Sequence, residues 1–101
     1  MESADLLPPV HPGEILKEEF LKELGLSHHS LAQSLGVAQR RVDEILEGRS
    51  DVDADMALRL ARFFGMSPEF WMGIQNHYDL DTAEQKFRSE LEAITPLAAP
   101  R

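Results

Sequence analysis

Cysteine is absent from all 101 residues. That excludes a disulfide framework and a thiolate metal site, and it suits a reducing compartment. Long apolar runs are also absent, with nothing near the ~18 consecutive apolar residues of a membrane-spanning helix. The stretch from Met1 to Pro12 is acidic and proline-bearing, unlike a basic and apolar leader. These absences imply a cytoplasmic protein without membrane association. Positive charge is scarce: ten Lys and Arg face eighteen Asp and Glu, a net charge of −8. That balance argues against a bulk electrostatic grip on a polyanion. Contact with nucleic acid must then come from a local arrangement, or from a dimer with a basic stripe on an acidic body. There is no glycine-rich phosphate loop and no nucleophile with a matched base, so neither an enzyme nor a cofactor is expected.

What is present is a succession of short helical patterns, each with a start and a stop. Residues 1–10 carry no period, and Pro8-Pro9 keeps them extended as an arm. A first helix starts near Pro12, with Leu16, Phe20 and Leu24 on one face and Gly25 as its left-handed stop. Ser27 caps a second helix that carries Leu31, Ala32 and Leu35 and ends at Gly36. A third begins around Ala38 and shows Val42, Ile45 and Leu46 on one face. Asp53 caps a fourth, lined by Ala57, Leu60, Ala61 and Phe64 and closed by Gly65. Ser67-Pro68 opens a fifth, whose inner face is Phe70, Trp71, Ile74 and Tyr78. Leu80, Ala83, Phe87, Leu91 and Ile94 then continue at helical spacing to Pro96. No segment alternates long enough for a strand, so the fold is all-α. Residues 11–79 form the domain and residues 80–101 a C-terminal helical extension and tail.

The second and third helices are short and joined by a tight turn, the helix-turn-helix arrangement. Ala32 must be small because the next helix crosses over it. Gly36 supplies the positive φ of the turn, and Val42 and Ile45 fill the angle between the helices.

His11-Pro12-Gly13-Glu14-Ile15-Leu16 resembles the opening of HigA-type antitoxins, the virulence-associated protein I group of the Xre helix-turn-helix family. So do Gly36-Val37 with Arg40-Arg41, Met56-Ala57-Leu58-Arg59-Leu60-Ala61 and Ser67-Pro68-Glu69-Phe70-Trp71. The likeness spans roughly residues 11 to 86. It implies a lambda-repressor-like five-helix DNA-binding domain that is a homodimer and represses its own operon on double-stranded operator DNA. It further implies pairing with a HigB-type toxin, an mRNA-cleaving ribonuclease of the RelE fold.

In such a domain the N-terminal residues of the third helix meet base edges in the major groove. Here those are Ala38, Gln39, Arg40 and Arg41, with Glu44 one turn on. Gln39 can pair with adenine, Arg40 or Arg41 can fork onto guanine, and Glu44 can accept from cytosine. Ser27, His28 and His29 present the N-terminus of the second helix to phosphate. Arg49 and Ser50 are further phosphate candidates. A plainer reading stands beside this one: Arg40 and Arg41 as surface ion pairs to Glu44, worth ~0.2–0.5 kcal/mol each. From Gly36 to Asp53 three basic residues face five acidic ones. Where family members more often carry polar or basic residues, Glu47, Ser50 and Asp51 stand. A solitary regulator of the same fold, or an interaction module that has lost DNA binding, is therefore a rival reading.

Asp51, Asp53 and Asp55 have the opening spacing of a calcium loop, but Met56 and Arg62 replace its required glycine and glutamate. His28 and His29 are adjacent, so they cannot share a helix face as zinc ligands. No metal site is expected. Trp71 is either core or partner surface. Leu80, Ala83, Phe87 and Leu91 lie outside the minimal domain without an internal partner, and are the expected dimer surface.

Overall fold

The computed structural model describes residues 9–98, and the arm expected at residues 1–10 falls outside them except for Pro9 and Val10. All regular structure among the described residues is helical. His11 caps the first helix, its Nδ1 accepting from the Gly13 N–H at 2.9 Å, and Pro12 takes the first helical position. This helix, α1, runs through Pro12–Ile15, a π-helical stretch Leu16–Leu21 and a last turn Lys22–Leu24. The next four are α2 (His28–Leu35), α3 (Gln39–Leu46), α4 (Ala54–Phe64) and α5 (Pro68–Lys86). A short α6 (Arg88–Glu92) follows.

Most boundaries follow from the caps. Ser27 Oγ accepts from the Ser30 N–H, and Asp53 Oδ1 accepts from the Met56 N–H. Gly36 ends α2 at φ 73°, the left-handed region where a Cβ would be strained. One core joins all five larger helices through Leu16, Leu31, Val42, Ile45, Met56, Leu60 and Trp71, all at most 2 % exposed. Each such side chain contributes ~1.5–3 kcal/mol by leaving water.

Three expectations need correction. The stripe Leu16, Phe20, Leu24 assumes an α-helical period, but the π-helical stretch closes i→i+5 bonds, as Lys22 N–H to Lys17 C=O shows. Leu21 is therefore buried beside Leu16, and Leu24 turns out to solvent. On α5 Trp71 and the unexpected Gln75 are the buried residues, Ile74 packs partly buried against the core and Tyr78 against His11, and of the expected face only Phe70 is exposed, at 41 %. Trp71 is core: it is fully buried, with the rings of Phe20 at 5.2 Å and Phe70 at 5.1 Å. Finally, α5 runs unbroken through residue 80, since no glycine or proline separates Tyr78 from Lys86. The helical path breaks instead at Phe87 (φ −111°, ψ 23°), where nothing in the sequence marks a stop.

Beyond the core, α5 and α6 project from the globule, and Leu80, Ala83, Phe87 and Leu91 are all exposed. The radius of gyration is 16.7 Å, against ~13 Å for a compact domain of this length. Among the described residues no helix is long and apolar enough to cross a membrane.

Candidate nucleic-acid interface

Two close approaches position α3, one against α2 and one against α1. Ala32 is buried under the crossing helix, and the Val37 N–H donates back to the Ala32 carbonyl at 3.1 Å, closing the turn. Below the crossing, α1 lies directly on α3: a Cβ built on Gly13 would sit 1.8 Å from the Ile45 carbonyl oxygen. Gly13 is thus fixed by helix-to-helix contact rather than by a turn, and periodicity gave no sign of it. With Val42, Ile45 and Leu46 turned inward, the outer face of α3 is left to Gln39, Arg40, Asp43, Glu44 and Glu47.

The N-terminal end of α3 is open. Ala38 caps it without a side-chain hydrogen bond, and Ala38, Gln39 and Arg40 are exposed. Arg40 projects into solvent, its side chain 86 % exposed, while its Nε donates to Glu44 Oε2 at 3.0 Å. Glu44 also accepts from Ser50 Oγ at 3.2 Å. Arg40 first, and Ser50 next, hold its carboxyl below the ordinary value of 4.5. Arg49 pairs with Glu47 through the guanidinium. Ser27, His28 and His29 stand together at the N-terminus of α2, with His28 Nδ1 2.8 Å from Asp43 Oδ1 and His29 exposed.

Arg41 does not stand with Arg40. Its guanidinium turns toward the start of α4, where it donates to Asp55 Oδ2 at 2.9 Å and to Asp53 Oδ1 at 3.1 Å, leaving the side chain 35 % exposed. Asp55 also accepts from Arg59 Nε at 3.0 Å, and Arg59 Nη1 donates to the Leu35 carbonyl at 2.7 Å. One carboxylate thereby links the end of α2, the start of α3 and the start of α4. Hydrogen bonds from Arg59 and then Arg41 lower its pKa from the ordinary 3.8. These partners lie twelve and fourteen residues from Arg41, beyond any helical spacing, so sequence reasoning could not find them.

The connection from α3 to α4 carries Arg49, Ser50 and Asp51. It is anchored from α5, a link the sequence also hid: buried Gln75 accepts from the Val52 N–H at 2.7 Å and donates to Asp79 Oδ1 at 2.9 Å. The open end of α3, the N-terminus of α2 and this connection are joined through His28 with Asp43 and Ser50 with Glu44. Each exposed guanidinium there, at Arg40 and Arg49, lies beside a carboxylate.

A helix-turn-helix family model matches residues 17–71. Virulence-associated protein I of Dichelobacter nodosus is 47 % identical over 92 residues, covering 91 % of this chain and 84 % of that one. Antitoxin HigA-1 of Vibrio cholerae is 36 % identical over 89 residues, covering 88 % of this chain and 84 % of that one. Among solved structures, the Pseudomonas aeruginosa antitoxin HigA with the higBA promoter matches with a TM-score of 0.86 at 42 % identity, covering 89 % of this chain and 99 % of that one.

Proposed function

This chain belongs to the HigA antitoxins of the helix-turn-helix family, and from that premise we propose that it is a cytoplasmic operator-binding autorepressor that also neutralises a HigB-type toxin. It acts as a regulator, without catalysis of its own. The observation that carries this reading is the exposed start of α3, whose cap Ala38 makes no side-chain hydrogen bond, with Gln39 and Arg40 at its tip. A relative of the same fold is known with promoter DNA. Gln39 and Arg40 read base edges, and Ser27, His28, His29, Arg49 and Ser50 hold phosphates. Ala38 and Glu44 flank the reading positions. Arg41 contributes by fixing α3 against α4 through Asp53 and Asp55. Leu80, Ala83, Phe87 and Leu91 form the homodimer surface, and the acidic body suits a basic toxin.

A gel shift on the protein's own upstream DNA tests this. Arg40→Ala should lose ~1–3 kcal/mol of discrimination between operator and unrelated DNA. Arg41→Ala should bind less tightly through a loosened fold, visible as a lower melting temperature. The pairing of Arg40 with Glu44 and of Arg49 with Glu47 favours a second reading, an interaction module without DNA binding. A wild-type chain with no salt-dependent, specific shift would establish that alternative.

A further inference from the structure

His11 is buried to 9 % exposure, and its two ring nitrogens are used unequally. Nδ1 accepts from the Gly13 N–H, so the ring proton is on Nε2. That Nε2–H is buried without a hydrogen-bond partner. A buried donor in this condition is costly, and native structures leave few of them. The Tyr78 ring stands T-shaped to the imidazole, with the two centroids 5.0 Å apart. The nearest carboxylate is Asp51 Oδ1 at 3.8 Å, just beyond hydrogen-bond reach.

Asp51 has the opposite difficulty. It follows Arg49 and Ser50 in the α3–α4 connection, with its side chain 68 % exposed where phosphate is expected to approach. A carboxylate there repels the DNA backbone. The main chain on either side is already fixed: the Arg49 and Ser50 N–H groups both donate to the Glu44 carbonyl, and the Val52 N–H donates to Gln75. Only the Asp51 side chain has to turn for the two groups to meet.

We propose that His11 is a positioning residue for operator binding: its Nε2–H takes the Asp51 carboxylate when the α3–α4 connection meets the phosphate backbone, drawing that charge off the DNA. The contact satisfies the orphan donor and removes the misplaced carboxylate in one step. It rests on the reading of the connection as phosphate-facing.

His11→Asn separates the two duties of the imidazole, because asparagine still caps α1 but is too short to reach Asp51. It should stay folded and dimeric, with a melting temperature lowered only by the lost packing against Tyr78, while weakening operator binding about tenfold, the loss of one charge-assisted hydrogen bond. Adding Asp51→Asn to that variant should restore binding to within about twofold of wild type, by removing the carboxylate that the lost hydrogen bond had shielded. A purely structural role for His11 predicts no such rescue. Unchanged binding by His11→Asn, or a double variant as weak as the single one, overturns the proposal. Should His11→Asn unfold, the wild-type imidazole carries the test. Its Nε2–H resonance must shift and slow its exchange with water when operator DNA is added, and an unmoved resonance also overturns the proposal. Absence of any specific shift by wild type would remove the operator reading itself, and is seen before any variant is compared.

Discussion

At the scale of single residues, the chain separates side chains that project from side chains that hold. Arg40 and Arg41 are neighbours in sequence, yet one reaches into solvent and the other locks onto Asp53 and Asp55. Gly13 shows how a single hydrogen can set an inter-helix distance. Gly13→Ala would drive a Cβ into the Ile45 carbonyl, and is expected to cost about 3 kcal/mol or more as α1 and α3 are forced apart. Urea unfolding would measure it, and a loss no larger than at an exposed alanine site would contradict the close crossing. Asp55 gives a pH-dependent test. Its folded pKa lies below 3.8, held down first by Arg59 and then by Arg41. The stabilisation it provides is complete above 3.8 and is lost as pH falls through the lowered folded value. Asp55→Asn should therefore be less stable than wild type near neutrality, and the two melting curves should converge in acid. A constant gap at all pH values would mean that the charge is not what matters.

At the scale of elements, legibility in the sequence depended on whether the signal was local. Ser27, Asp53 and Ser67 mark helix starts because a cap acts within three residues of itself, and each is seen capping. Gly36 and Ala32 mark the helix-turn-helix for the same reason. The stripe on α1 departs from the α-helical period because a π-helical stretch changes the spacing without a distinctive residue, exchanging Leu24 for Leu21. The long-range pairing of the candidate interface residues was not legible. The Arg41 clamp and the Gln75 anchor depend on partners twelve or more residues away. The boundary expected at residue 80 falls inside α5, which carries no stop signal there.

At the scale of the whole molecule, an acidic chain has to hold a polyanion, and it has two ways to do so. One is to neutralise its own carboxylates locally, as Arg40 does for Glu44 on α3 and Arg49 for Glu47 just past its end. The other is to bind as a dimer, so that two weak contacts act together. The projecting end of α5 and α6 is the expected means of dimerisation. Leu80→Glu with Leu91→Glu should leave the helical content unchanged, since both side chains are exposed in the single chain, and should yield monomers by sedimentation. A persistent dimer would locate the interface elsewhere. The central claim is that the start of α3 enters a major groove. Its most direct test is a methylation-protection footprint of the purified protein on its own upstream DNA. Two clusters of protected guanine N7 positions should appear about one helical turn, ~34–36 Å, apart, and the Gln39→Ala, Arg40→Ala double variant should lose both. An unprotected upstream region, or protection that survives the double variant, would contradict it.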